Sequence, residues 1–161
     1  MSRRLAPFLL AALLAFPALA QQAKVDFGGL KQDTTLPVNV EADHFTVNNA
    51  DGTAVFTGNV AVAQGEMKMS AAEVRVEYGA NGKGISKLHA TGGVTLSNAQ
   101  EAAEAQEAVY TIDSGTVVMT GNVLLTQGAS TLAGQKLTVH LKDGTGVMEG
   151  RVSTTFVPGG N

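Results

Sequence analysis

The sequence contains no cysteine, which excludes disulfide bonds and thiolate metal sites. A chain without cysteine also cannot carry the acylated cysteine of a lipoprotein. Tryptophan is absent and there are only two tyrosines, while glycine occurs 19 times. The formal net charge of −3 gives no basic surface for nucleic acid. Valine and threonine are abundant instead, a balance that favours strands and turns over helices.

The first twenty residues have the pattern of a secretory signal peptide. Arg3 and Arg4 precede an uncharged apolar run over residues 5–19, and Ala18-Leu19-Ala20 is a small-x-small cleavage site. We expect cleavage before Gln21 and export of the chain. An uncleaved membrane anchor is the alternative, but the run is shorter than the roughly 20 residues that span a bilayer.

The length of the remaining chain suits one domain. We expect a flexible N-terminal segment over residues 21–36, a β-domain over 37–158 and a short tail over 159–161.

An internal repeat is the strongest signal in the sequence. Thr57-Gly58-Asn59-Val60 recurs as Thr120-Gly121-Asn122-Val123, and a Gln-Gly pair follows each copy. Looser copies place further Gly-x-Val units at 92 and 150. Regular self-similarity of this length predicts stacked units that bury a common core only together.

Apolar residues alternate with polar ones through most of the repeats, which predicts strands with one buried face. The inward set contains few large aromatic side chains, so it favours a groove that leaves room for a ligand, although an ordinary slim core would show a similar pattern. The predicted groove residues are Val40, Phe56, Val60, Val62, Met69, Val76, Met119, Val123, Leu125, Leu137 and Val139.

Residues 98–108 are ambiguous, because their Ala, Glu and Gln content favours a helix. The repeat, however, places Ala105, Ala108 and Tyr110 where Ala71, Val74 and Val76 lie in the first unit. We therefore predict a strand over the second half of this segment.

The sequence contains no recognisable catalytic or metal site. The spacing of His44, His89 and His140 matches no ligand pattern, and Glu101, Glu104 and Glu107 are better explained as one solvated face than as paired carboxylates for acid–base chemistry. We expect a protein that is not an enzyme and uses no cofactor.

Over residues 36–158 the chain resembles the LptA/OstA family of periplasmic lipopolysaccharide-transport bridge proteins. The matching segments include Phe56-Thr57-Gly58-Asn59-Val60, the second Gly-Asn-Val unit and Arg151-Val152-Ser153-Thr154-Thr155-Phe156. The Ala/Glu/Gln-rich stretch near 98–108 and the short C-terminal tail depart from the family pattern.

The resemblance implies an all-β fold, an elongated twisted antiparallel β-jelly-roll that is open along one side. It also implies a location in the periplasm and a groove that holds the acyl chains of lipopolysaccharide. Such domains stack end to end into homo-oligomers. One edge would meet the inner-membrane anchored transport protein, and the other the periplasmic domain of the outer-membrane translocon.

The ends of the β-domain are the expected docking edges, because open sheet edges accept further strands. The predicted N-terminal edge is residues 38–43, with Val38, Asn39 and Val40. The predicted C-terminal edge lies in residues 147–156, with Arg151, Val152, Thr154 and Phe156. In an alternative, the segment before Leu36 folds back over the first edge.

Three other functions remain open at this point. The anchored inner-membrane protein of the same pathway would keep its N-terminal segment. A self-assembling β-solenoid filament would have the repeats but no lipid. A polysaccharide-active β-helix enzyme would need an acidic cluster on one face, which the sequence does not show.

Overall fold

The fold is known from a computed structural model, which describes residues 22–26 and 30–157. These residues form one antiparallel sheet. Its strands are β1 (Gln22–Asp26), β2 (Asn39–Glu41), β3 (His44–Asn48), β4 (Thr53–Gln64), β5 (Met67–Tyr78), β6 (Ile85–Ser97), β7 (Glu101–Thr111), β8 (Thr116–Gln127), β9 (Ser130–His140), β10 (Thr145–Glu149) and β11 (Ser153–Thr155).

From β4 to β10 the chain runs as a meander in which each strand pairs with the next. At one edge, β2 and β3 both pair with β4; at the other, β10 and β11 both pair with β9. The two edges do not pair with each other, so the sheet is not closed. The expected all-β antiparallel fold is therefore confirmed.

Each long strand is interrupted near its middle, and the interruptions are aligned across the sheet. The register shifts lie at 57/60 in β4, 91/94 in β6 and 120/123 in β8. Gly58 and Asn59 have positive φ angles of 81° and 47° there, and Gly121 and Asn122 have 88° and 48°. The Gly-Asn-Val repeat thus encodes a corner in the sheet, because glycine and asparagine adopt this conformation most easily.

The line of corners divides the sheet into two arms. The first arm contains β3, β10 and residues 53–57, 73–78, 85–91, 107–111, 116–120 and 136–140. The second arm contains β2, β11 and residues 60–64, 67–71, 94–97, 101–105, 123–127 and 130–134. Inward residues of both arms form one hydrophobic core, which includes Val74 and Leu137 from the first arm and Val60 and Leu125 from the second.

The ambiguous segment 98–108 is a strand over most of its length, since β7 begins at Glu101. The strand predicted for its second half is confirmed. The helix propensity of its first half is overridden because pairing with β6 and β8 satisfies the backbone on both sides.

The N-terminal segment differs from the expectation of a flexible region outside the domain. Residues 22–26 form β1, which pairs with β10 at the C-terminal edge. Leu30 is buried with 1% exposure. The segment therefore does not cover the first edge, as one alternative supposed. Residues 1–21, which include the predicted signal peptide, and the tail at 158–161 lie outside the described residues.

Candidate functional site: the interior between the two arms

The interior between the arms is apolar and contains every predicted groove residue. Nine of the eleven are buried with at most 2% exposure. The other two, Val40 and Phe56, are partly buried and pack against the same core. The structure therefore places the predicted set on one continuous inner surface.

The sequence prediction omitted several residues of this surface. In β6, Leu88, Ala90, Val94 and Leu96 are all buried. Their alternation on either side of Gly92-Gly93 was a usable signal, but it is weakened by the break in periodicity at the corner. Met67, Met148 and Leu141 complete the buried set at the ends of strands.

One polar contact crosses the interior. The Tyr110 hydroxyl, on the first arm, donates a hydrogen bond of 2.7 Å to Gln64 Oε1 on the second arm. Both side chains have 0% exposure. Burial raises the pKa of Tyr110 to about 12, and the hydrogen bond to Gln64 opposes this shift. Gln64 follows Val60 and Val62 in the inward alternation, so its inward position could have been predicted.

The open side of the interior lies between the hairpin turns of the two arms, and residues 30–36 run across it. The backbone N–H of Gln32 donates to the carbonyl of Leu141, on the first arm, at 2.7 Å. Gln64 Nε2, on the second arm, donates to the carbonyls of Thr34 and Leu36 at 3.1 and 2.8 Å. We call residues 30–36 the strap, because they connect the two arms across the opening.

The predicted N-terminal docking edge is present, but it is longer than expected. β2 is followed by a corner at Ala42-Asp43 and then by β3, which pairs with β4 on the first arm. Phe45 and Val47 of β3 are 55% and 51% exposed. They were missed because the first strand was expected to end at Asp43.

The predicted C-terminal edge is also divided by a corner, between β10 and β11. The predicted strand pair at 147–156 is therefore corrected to Thr145–Glu149 and Ser153–Thr155. The outer side of β10 is occupied by β1. Phe156 and Val157 at this end are 75% and 50% exposed, whereas Val152 packs against the core.

The described residues contain no group of three or more side chains that could hold a metal ion. Among residues 22–26 and 30–157 no helix is long and apolar enough to cross a membrane. Each of the three histidines is at least partly exposed, and His89 Nε2 lies 3.6 Å from Glu107 Oε2.

Comparison with known proteins identifies the family. Residues 39–145 match the family described as LptA/(LptD N-terminal domain) LPS transport protein. The chain belongs to this family. The LptA/LptD N-terminal family consists of lipopolysaccharide transport proteins, which agrees with the expectation that this chain is not an enzyme.

Individual relatives agree with the family assignment. An uncharacterized protein of Rhizobium meliloti is 28% identical over 92% of this chain and 86% of its own length. The lipopolysaccharide export system protein LptA of Escherichia coli is 30% identical over 69% of this chain, and the match spans 63% of that protein.

The fold has a solved counterpart. The crystal structure of LptH, the LptA-homologous periplasmic component of the lipopolysaccharide transport device of Pseudomonas aeruginosa, matches with a TM-score of 0.70 and 19% identity. The match covers 79% of this chain and 99% of that one. The β-jelly-roll expected from the sequence is therefore the fold of this LptA-family member.

Proposed function

We propose that this LptA-family chain is a periplasmic carrier that holds the acyl chains of lipopolysaccharide between its two arms. The observation that carries the proposal is the continuous apolar inner surface, which has the predicted groove residues on both arms and an opening crossed by a short strap. Each methylene moved from water into such an interior contributes roughly 0.8 kcal/mol, so several acyl chains supply a large driving force.

The arms can separate without loss of strand pairing. All strand-to-strand hydrogen bonds run along the sheet, while only the Tyr110–Gln64 bond and the strap contacts join the arms directly among the polar contacts described above. The core also contains Met67, Met69 and Met119, and unbranched thioether side chains repack easily around a ligand. Opening at the line of corners therefore exposes the inner surface at modest cost.

Photo-crosslinking tests this proposal, because inner and outer positions alternate along one strand. A photoreactive residue at Val62 or Leu125 faces the interior, while their neighbours Ala61 and Leu124 are exposed on the outer face. We expect lipopolysaccharide adducts in cells from positions 62 and 125 only. Equal labelling from positions 61 and 124 would contradict an interior binding site.

We further propose that the two ends of the sheet connect the membranes. The β2–β3 edge would receive the inner-membrane anchored transport protein, and the β10–β11 edge would meet the periplasmic domain of the outer-membrane translocon. In support, five of the seven exposed large hydrophobic residues lie on or beside these ends: Leu36, Phe45, Val47, Phe156 and Val157. Exposed apolar groups at a sheet edge are typical of a docking surface.

The docking proposal is tested by Val47→Asp in a pull-down with the inner-membrane protein. Val47 is already exposed, so the charge should not disturb the fold, but it would be desolvated in a docked edge. The matched control is Leu124→Asp, at an exposed apolar position in the middle of the sheet. Loss of partner in the first variant alone supports docking at β3, and equal recovery in both would exclude it.

Export is part of the proposed function. We expect the mature protein to begin at Gln21 in the periplasmic fraction, as measured by intact mass. A membrane-bound protein that retains residues 1–20 would instead indicate the anchored protein of the same pathway.

A further inference from the structure

The hairpins of this fold are built from two kinds of strand. β4, β6 and β8 carry the corner glycines, and each pairs along both arms with the strand that follows it. The residue just before each corner is paired in the same manner: Thr57 with Glu73, Thr91 with Glu107, and Thr120 with Lys136. A corner-glycine strand therefore has a defined partner position on this side, and it extends over both arms.

The segment β10–β11 is a fourth corner-glycine strand. Its corner, Gly150-Arg151, has φ angles of 81° and 48°, close to the 81° and 47° of Gly58-Asn59. It also begins in the same manner as β4, since Asp143 accepts a 2.6 Å bond from the Thr145 hydroxyl just as Asp51 does from Thr53.

The partner position of β10–β11 is only half filled. On the first arm it holds β1, and Gln22 is paired with Glu149, the residue before the corner. On the second arm, β11 pairs with β9 alone, and no described strand lies on its other side.

The segment β2–β3 is a strand of the second kind that lacks its corner-glycine partner. Asp43 packs on Gly58, where an added Cβ would lie 2.7 Å from Asp43 Oδ2. In the same way Ala72 packs on Gly92 and Gln135 on Gly150. Unlike β5, β7 and β9, however, β2–β3 pairs only with β4 in the described part of the chain, and its outer side is open.

We propose that β10–β11 binds the outer edge of β2–β3 from a second copy of this chain, and that β1 competes for the same site by occupying the position of the incoming β3. The hairpin registers place His44 of the second copy opposite Glu149 and Thr46 opposite Val147. These are the residues that Gln22 and Lys24 of β1 face now. This inference rests on the proposed docking edges and adds a strand that controls access to one of them.

Geometry makes the two arrangements mutually exclusive. β1 and β3 are both five residues long, and both run antiparallel to the strand they pair with. With β1 in place, the edge on the first arm is one strand spacing, about 4.8 Å, farther out than the edge on the second arm. Since β2 and β3 are joined by a corner that packs on Gly58, they cannot follow such a step on both arms. β1 must therefore leave β10 before a continuous junction forms.

A disulfide that holds β1 in place tests the competition, and the absence of native cysteine makes it clean. Lys24→Cys with Val147→Cys joins directly paired residues of β1 and β10. The matched control is Ser70→Cys with Thr95→Cys, a directly paired set in the centre of the sheet. Self-association is measured by sedimentation of oxidised and reduced samples.

We expect oxidation of the β1 pair to weaken self-association by about tenfold or more, because the assembly-competent fraction is removed. The central pair should show no such change. Deletion of residues 22–26 should strengthen self-association. Equal assembly of the oxidised and reduced β1 pair, or a deletion variant that remains monomeric, overturns the proposal.

The register is tested by Thr46→Cys with Val147→Cys, which should yield intermolecular disulfides in the deletion background. Either single variant should give only symmetric dimers or none, and absence of the mixed disulfide contradicts the proposed junction. Lipopolysaccharide crosslinking from position 62 is recorded for all variants. Its retention when the junction tests fail would overturn the β1 proposal while leaving the carrier function intact.

Discussion

The hydroxyl of Tyr110 donates to the amide oxygen of Gln64 across an otherwise apolar interior, at 2.7 Å. Gln64 in turn donates to the carbonyls of Thr34 and Leu36 in the strap. The contact between the two arms and the contact that covers the opening thus share one side chain. Changes at Tyr110 are therefore expected to affect both the stability of the fold and the position of the strap.

Tyr110→Phe should destabilise the protein by about 1–3 kcal/mol, because Gln64 Oε1 would remain buried without its donor. Urea unfolding followed by circular dichroism measures this loss. Tyr78→Phe, at an exposed tyrosine, is the matched control and should change the free energy of unfolding much less. Equal stability of the two variants would show that the buried bond contributes little.

The raised pKa of Tyr110, about 12, predicts a loss of stability in alkaline solution. Below pH 10 the side chain is neutral in both states and contributes no pH dependence. Above pH 10 the unfolded state ionises while the folded state does not, so stability falls as pH rises to about 12, by up to about 1.4 kcal/mol per pH unit. The slope between pH 10 and 12 should be smaller in Tyr110→Phe, and an unchanged slope would rule out this origin.

The strap should control entry to the interior. Gln32→Ala removes a side chain whose Nε2 donates to the Gln64 carbonyl, while leaving the buried Leu30 in place. We expect lipopolysaccharide to bind faster, with a small change in stability, as measured by stopped-flow mixing with a fluorescent lipopolysaccharide. Gln22→Ala, at an exposed glutamine of β1, is the control and should not change this rate. A Gln32→Ala association rate equal to that of the unmodified protein would contradict a gating role.

The corner glycines should be intolerant of side chains. Gly58 has a φ of 81°, and an added Cβ would lie 2.7 Å from Asp43 Oδ2. Gly82, with a φ of 63°, has nothing within 4 Å of the same position. Gly82→Ala should therefore report backbone strain alone, about 1–2 kcal/mol, and Gly58→Ala should lower the free energy of unfolding further. Similar losses in both variants would show that contact at the corner is unimportant.

Much of the fold could be predicted because its signals are local and repeated. Alternation placed Val60, Val62 and Leu125 inward, and the structure buries all three. The Gly-Asn-Val repeat predicted stacked units, and the register shifts at 57/60 and 120/123 show that it marks their corners. Repetition also gave the correct strand for residues 105–108, where local propensity favoured a helix.

The missed features depend on contacts between distant parts of the chain. β1 has no strong alternation of its own and is a strand because β10 offers an unpaired edge. The strap reads as a polar loop, and its position depends on Leu141 and Gln64, which are far away in sequence. Single-sequence patterns report periodicity within a strand, but they do not report which backbone groups remain unsatisfied at the end of a sheet.

The meander also fixes a unit of length. From β2 to β10 the sheet path contains eight strand positions, which at about 4.8 Å per strand amounts to roughly 38 Å along the stacking direction. If copies join edge to edge, the distance spanned can change only in increments of this size. A small mismatch between the two membranes then has to be absorbed by the end domains or by the twist of the sheet, because the pairing within each copy leaves no intermediate length.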